Sequence, residues 1–137
     1  MGARSGVRGS HSAVISVLYV DDESAETDEA VAALTADDGF EVDRIDHAAA
    51  AIDALEASTY DCVVSGYDLT QLDGLTFLRE LRDRWPDLPF VFYTDSGSER
   101  VASEAFSAGA TDYVEKARTR DDPDALADAL RDAVDDQ

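Results

Sequence analysis

The sequence predicts an α/β fold in which a doubly wound, five-stranded parallel sheet is covered by helices on both faces. Short apolar runs alternate with segments of helical periodicity, an order typical of parallel strands that are joined by helices. The connections between these segments are short, so each strand–helix unit follows directly on the last. The length of 137 residues fits a single domain.

Five strands are predicted from runs of strand length that end at turn or charged residues. The first run, VISVLYV, is continuously apolar, and the second, FEVDRI, alternates between apolar and polar residues. The third and fourth, YDCVVS and FVFY, are mostly apolar, and the fifth is short. The predicted strands are Val14–Val20, Phe40–Ile45, Tyr60–Ser65, Phe90–Tyr93 and Tyr113–Glu115.

Five helices are predicted from apolar periodicity together with capping and breaking residues. Capping residues are expected to begin the first two, and glycine or proline to end or open the others. These signals are Ser24 and Gly39 around the first helix, Asp46 before the second, Pro86 after the third, Gly109 after the fourth and Pro123 in the fifth. His47, at the start of the second helix, is expected to be a surface or capping residue. The last four helices are predicted at Ala48–Ala57, Leu75–Trp85, Ser98–Ala108 and Asp124–Val134.

The chain ends and the cysteine content indicate a cytoplasmic domain. Residues 1–13 are rich in Gly, Ser and Arg and are predicted to be a flexible segment before a domain at residues 14–135. They lack the apolar stretch of a signal peptide, and the chain has no apolar run of the roughly 18 residues that a membrane span needs. The lone Cys62 lies within a predicted strand, where we expect a small core side chain in a reducing compartment.

The charge is strongly negative. Asp and Glu total 31 against 11 Lys and Arg, which gives a formal net charge of −20. The acids are scattered along the chain, as on halophile-type surfaces, where salt screens their mutual repulsion. Such a charge argues against binding to nucleic acid. The only lysine is Lys116, so its position carries information.

Polar residues follow four of the predicted strands. Asp21 and Asp22 follow the first, Asp68 lies two residues beyond Gly66 after the third, Thr94 follows the fourth and Lys116 the fifth. Ligands of open parallel sheets bind beyond the carboxyl ends of the strands. Carboxylates suit Mg²⁺, and a hydroxyl beside an ammonium group suits a phosphoryl group. The pattern is typical of phosphoryl transfer.

The chain resembles the receiver domains of two-component response regulators over Val14–Val134. The motifs that carry the resemblance are VLYVDDE, the spacing into LDGL, LPFVFYT and SAGATDYVEK. The resemblance implies a flavodoxin-like (CheY-like) fold with strand order 2-1-3-4-5. It also implies roles for five residues: Asp21 and Asp22 in holding Mg²⁺, Thr94 and Lys116 in sensing the phosphoryl group, and Tyr113 in switching rotamer.

Gly66 is the main departure from the receiver pattern. The phosphoacceptor aspartate of the family lies seven residues before the aspartate of the Asp-Gly turn, and that count from Asp73 reaches Gly66. A left-handed glycine at a turn accounts for the residue structurally. Ala117 stands where the family usually has a proline after a cis bond, so we expect a trans bond after Lys116. Thr70 stands where the loop often carries proline.

Without the acceptor, the expected function is phosphorelay signalling by protein contact, independent of phosphorylation and without catalysis. As in related receivers, a sensor kinase or output protein is expected to bind the fourth helix, fifth strand and fifth helix. Mg²⁺ binding is expected to be weak, and the chain to be a monomer or a weak dimer.

Three other interpretations remain open from the sequence. The chain is an active receiver if Asp68 accepts the phosphoryl group. It is an aspartate-dependent phosphatase or phosphotransferase if Gly66–Thr70 stands in for a DxDx[TV] motif, although the first aspartate is missing there and no cap domain is visible. It is an otherwise ordinary receiver if Gly66 is an engineered substitution.

Overall fold

The computed structural model describes residues 14–20, 32–34, 36, 39–66, 74–94, 99–116, 118, 122 and 124–135. Its strands are β1 (Ile15–Val20), β2 (Phe40–Ile45), β3 (Cys62–Ser65), β4 (Phe90–Thr94) and β5 (Asp112–Glu115). Its helices are α1, of which residues 32–34 and 36 are described, α2 (Ala48–Ala57), α3 (Gly74–Arg84), α4 (Glu99–Ala108) and α5 (Ala125–Asp135).

The five strands form one parallel sheet in the order β2-β1-β3-β4-β5. This confirms the predicted doubly wound, flavodoxin-like fold. The register places Val20 opposite Ser65 and Ser65 opposite Phe92, so the carboxyl ends of β1, β3 and β4 meet at one edge. Thr94 lies opposite Glu115, which brings the end of β5 to the same edge.

Alternate residues of the strands face opposite sides of the sheet, and each side has its own apolar core. On one side, Val17, Val64 and Val91 pack with Leu34 of α1 and with several residues of α5. On the other side, a second cluster joins the sheet to the helices α2, α3 and α4. We call these the α1/α5 side and the α2/α3/α4 side. Cys62 is fully buried in the first core, which confirms its predicted place.

The structure corrects the predicted N-cap of α2. His47, not Asp46, is the N-cap, since its extended backbone directly precedes the first helical residue. Its Nδ1 accepts a hydrogen bond from the amide of Ala50 at 3.3 Å. An imidazole nitrogen in this position satisfies one of the amide groups that a helix leaves unpaired at its start.

The structure also corrects the conformation expected of Gly66. Among the glycines that the structure describes, only Gly109 has a positive φ, at 111°. Gly109 follows α4, as predicted. The backbone at Gly66 is therefore not left-handed, and its φ angle is one that an L-residue can adopt. Conformation does not explain why glycine occupies this position.

Several predicted features lie outside the described residues. They include the segment 1–13, the Ser24 cap and the bond between Lys116 and Ala117, together with Thr70 and Pro123. Within the part of the chain that the structure describes, the helices are too short or too polar to cross a membrane.

Candidate functional site

Three polar side chains are buried among the described residues, and all three lie at the carboxyl edge of the sheet. Ser65 ends β3 and is 0% exposed, Thr94 ends β4 and is 5% exposed, and Lys116 follows β5 and is 7% exposed. Burial of polar groups is costly unless they find partners. Their concentration at one edge therefore marks it as the candidate site, the place where ligands bind to open parallel sheets.

The end of β3 is fixed to the end of β1. The amide of Gly66 donates to the carbonyl oxygen of Val20 at 3.0 Å, and the Ser65 hydroxyl donates to the carbonyl oxygen of Gly66 at 2.8 Å. Val20 directly precedes the two acids predicted to hold Mg²⁺. Gly66 is thus buried at the centre of the edge, and it brings no side chain to the site.

The ammonium group of Lys116 lies over the ring of Tyr93, with Nζ 5.6 Å from the ring centroid. Tyr93 is paired with Val114, two residues before Lys116. Tyr93 and Val114 lie in the core of the α1/α5 side, so the contact with the Tyr93 ring puts the ammonium group on that side. The only lysine of the chain is therefore held at the edge that the sequence predicts.

Thr94 and Tyr113 belong to the other side of the sheet. Thr94 follows Tyr93 and so faces the opposite way. Tyr113 is half-buried against the α2/α3/α4 core, and its ring centroid lies 6.5 Å from that of Phe92. Thr94, predicted to sense the phosphoryl group, and Tyr113, predicted to switch rotamer, therefore both face the α2/α3/α4 side.

A surface groove runs between α4 and β5. It is lined by Glu99 and Ala102 of α4, by Tyr113 and Glu115 of β5, and by Arg118. Phe106 of α4 is 49% exposed and follows Ala102 by one helical turn, so it lies on the same helical stripe. The groove and this ring give the α4–β5 region both apolar area and charges of both signs.

The structure brings together some of the predicted site residues. Thr94, Lys116 and the Gly66 position lie at one edge, and Tyr113 borders the groove beside it. Asp21, Asp22 and Asp68 lie outside the described residues. Two contributors, Ser65 and Tyr93, were not predicted as site residues. The sequence puts Tyr93 next to Thr94 in the fourth strand, but only the register between β4 and β5 brings it near Lys116.

The described part of the site offers a cation and two hydroxyl groups. The residues that the structure describes hold no cluster of three His, Cys, Asp or Glu side chains suited to a metal ion. Cys62 is not a nucleophile, because burial and then the nearby Asp61 charge raise the pKa of its thiol to about 12. Each of these groups suits an oxyanion, but Lys116 contacts Tyr93 on the α1/α5 side while Thr94 faces the other side. The set does not include a carboxylate that could accept a phosphoryl group.

Comparison with protein families and curated proteins gives a consistent result. The family model described as response regulator receiver domain matches residues 17–131. The transcriptional regulatory protein FixJ of Bradyrhizobium diazoefficiens is 33% identical over 99 residues, covering 72% of this chain and 48% of its own length. The response regulator MprA of Mycolicibacterium vanbaalenii is 36% identical over 104 residues, covering 74% of this chain and 44% of its own.

The chain thus spans about half the length of these relatives. Among solved structures, a two-component response regulator of the LuxR family from Aurantimonas superposes with a TM-score of 0.82. The match covers 91% of this chain and 88% of the other at 22% sequence identity, and it supports the fold.

Proposed function

Since the chain belongs to the response regulator receiver domain family, we propose that it is a receiver of two-component signalling that works without phosphorylation of its own. The observation that carries the proposal is Gly66, buried at the end of β3 in the centre of the candidate site. The family resemblance puts the phosphoacceptor carboxylate at this position, and glycine cannot supply it. Related proteins are response regulators, and we propose no catalytic activity for this chain.

The five other residues to which the resemblance assigns site roles are present in the sequence, which supports a receiver that lacks the phosphoacceptor. The burial of Thr94 and Lys116 at the carboxyl edge supports their proposed roles as the phosphoryl-sensing hydroxyl and ammonium. The contact of Tyr113 with the groove supports its proposed role as the switching aromatic. We propose that the domain, at residues 14–135, keeps a fixed conformation in which these side chains are already placed.

Receiver domains bind Mg²⁺ at the phosphorylation site, and the donor set here fits that ion poorly. Mg²⁺ prefers an octahedron of oxygen ligands, usually carboxylates completed by water and phosphate oxygens. Gly66 contributes no side-chain oxygen, and Lys116 brings a positive charge to the same edge. Asp21 and Asp22 remain as the proposed, weak metal ligands.

Receivers act through kinases and output domains, and we propose that this chain binds its partner on α4, β5 and α5. The groove between α4 and β5 and the exposed ring of Phe106 support this surface. Exposed aromatic side chains beside polar groups are frequent anchors of protein interfaces. The net charge of −20 favours a monomer or weak dimer, since copies of the chain repel one another.

Intact-mass analysis after incubation with acetyl phosphate and Mg²⁺ tests the central claim. We expect no phosphoryl group on the protein as it is, and one on Gly66→Asp, because the φ angle of Gly66 is not positive and so permits an L-residue. Gly66→Asn is the matched control, because it adds a side chain of the same shape without a nucleophilic carboxylate. Stoichiometric labelling of the unchanged protein would overturn the proposal, and mapping of that label to Asp68 would support the alternative acceptor.

A further inference from the structure

Tyr93 and Lys116 form a buried pair at the carboxyl edge of the sheet. Tyr93 is 3% exposed and Lys116 is 7% exposed, and the ammonium nitrogen lies 5.6 Å from the centroid of the ring. A cation within about 6 Å of an aromatic ring, over its face, is attracted by the ring quadrupole. The attraction is stronger when the pair is shielded from water, as it is here.

The position of Gly66 relates this pair to the missing carboxylate. Ser65 is paired with Phe92, so Gly66 is level with Tyr93 in the neighbouring strand. Val64 and Tyr93 both face the α1/α5 side. Gly66 directly follows β3 and its amide continues the hydrogen bonding to β1, so we expect a side chain at residue 66 to face the same side as Val64. A carboxylate at this position would therefore point to the side on which Tyr93 holds the ammonium.

We infer that Tyr93 is a positioning residue for Lys116. The ring face is one of the contacts that hold the ammonium group at the edge of the sheet, in a chain that has glycine at the acceptor position. A carboxylate introduced at residue 66 competes with the ring for the same ammonium. The contact between the ring and the ammonium group does not require a phosphoryl group.

Lys116 is the only lysine in the chain, which allows a direct measurement of its accessibility. Acetylation by an amine-reactive ester marks the ε-amino group of Lys116 and the amino terminus, and peptide mass mapping separates the two. A buried amine reacts in proportion to how often it is exposed by local opening. The labelling rate of Lys116 in the folded protein therefore reports how firmly its ammonium is held, with the amino terminus as an internal standard.

Two substitutions separate the ring from its hydroxyl group. Tyr93→Phe keeps the aromatic face, and we expect its labelling rate to stay within about twofold of the unchanged protein. Tyr93→Leu removes the face, and we expect roughly tenfold faster labelling of Lys116. A rate for Tyr93→Phe as high as that for Tyr93→Leu would assign the effect to the hydroxyl group and overturn the inference.

Phe92→Leu is the matched control for loss of a buried ring. Phe92 neighbours Tyr93 on β4, is 0% exposed and faces the α2/α3/α4 core. The substitution leaves a comparable cavity without touching the ring under Lys116. We expect labelling close to that of the unchanged protein, and equal acceleration by Phe92→Leu and Tyr93→Leu would show that general loosening, not the ring, is responsible.

A fluorinated series covers the case in which Tyr93→Leu does not fold. Phenylalanine analogues with increasing numbers of ring fluorines keep the shape of the ring and weaken the negative potential of its face. We expect Lys116 labelling to rise with each added fluorine, and a flat series would overturn the inference. With Gly66→Asp, we expect the effect of ring fluorination to shrink, because the carboxylate then holds the ammonium.

Discussion

The guanidinium group of Arg82 donates two hydrogen bonds to the carbonyl oxygen of Gly109, from Nε at 3.0 Å and from Nη2 at 2.8 Å. A third hydrogen bond joins Nη1 to the carbonyl oxygen of Trp85 at 2.9 Å. One side chain thus ties the end of α3 to the turn between α4 and β5, the two elements that form the groove.

Replacement of Arg82 by Met should destabilise the protein by about 1–3 kcal/mol, because two carbonyl groups lose charge-assisted donors. Urea unfolding at high salt measures the effect. Arg84→Met is the control, since the contact of Arg84 with Glu56 is between half-exposed side chains and should contribute under about 1 kcal/mol. Equal effects of the two substitutions would show that the Gly109 contact is not stabilising.

Gly109→Ala should also be destabilising, by more than about 1 kcal/mol, because φ is 111° and an L-residue is strained there. The added Cβ would lie 3.0 Å from Arg82 Nε and 3.3 Å from two carbon atoms of that side chain. When Arg82 is also replaced by Ala, the destabilisation that comes from the contact between the new Cβ and the Arg82 side chain should disappear. The destabilisation that comes from the strained backbone should remain. Thermal melting of the two single variants and the double variant separates the parts, and a fully additive cycle would contradict the contact.

Cys62 should be unreactive in the folded protein. Burial raises the pKa of its thiol from an ordinary value of 9.0 to about 12, so the folded state holds the proton more tightly than the unfolded state. This contribution to stability is complete below pH 9 and is lost as the pH rises through 12. A disulfide reagent at pH 8 should label Cys62 only after denaturation.

The stability difference between the unchanged protein and Cys62→Ala should correspondingly shrink above pH 9. A hydrogen bond to Asp43 raises the pKa of Tyr60 to about 12. Tyr60 is present in both proteins, so its contribution to the pH dependence of stability cancels in that comparison. Rapid reaction of Cys62 with the disulfide reagent in the folded protein would contradict both expectations, because it would mean that the core around β3 opens readily.

Folding should depend strongly on salt. The formal charge of −20 opposes compaction, and screening weakens the repulsion. We expect the melting midpoint to rise by about 5 °C or more between dilute buffer and molar KCl. Sucrose at the same osmolality controls for effects other than screening. Equal midpoints at both KCl concentrations would mean that the acids are spaced too far apart to repel.

Mg²⁺ should bind more weakly than about millimolar, because the site lacks the carboxylate at residue 66. Calorimetric titration at constant ionic strength measures the affinity. Gly66→Asp should bind at least roughly tenfold more tightly, since it adds a ligand and a negative charge. An Asp21→Asn, Asp22→Asn variant gives the background from the acidic surface. Tight binding by the unchanged protein would contradict the proposed donor set.

The sequence predicts much of the fold because its periodicities are clear. The observed bounds of β2 and α2 match the predicted ones, since turn residues flank an alternating and a helical pattern. The predicted start of β3 is two residues early. Asp61 exchanges hydrogen bonds with Ser16, its amide donating to the Ser16 carbonyl and its Oδ2 accepting from the Ser16 amide, each at 2.8 Å. A side-chain acceptor thus replaces the main chain there, which apolar periodicity does not reveal.

The site is predicted less completely than the fold. Motif spacing locates Gly66, Thr94 and Lys116, because each lies at the end of a recognisable strand. It does not locate the partner of the lysine, since that depends on the register between β4 and β5, which pairs Tyr93 with Val114. The conformation predicted for Gly66 is also wrong, because residue type alone favours a left-handed turn at glycine.

The sheet divides the site into two compartments. Tyr93 and Lys116 occupy one, and Thr94 and Tyr113 occupy the other. Side chains in different compartments meet a wall of buried, hydrogen-bonded backbone, since every residue of β4 is buried and the strand is paired on both edges. Tyr93 and Tyr113 are carried by neighbouring strands, so a shift of β4 relative to β5 would move both rings at once. Displacement of these two strands is therefore a route by which a change at the ammonium group on one side would reach the tyrosine on the other.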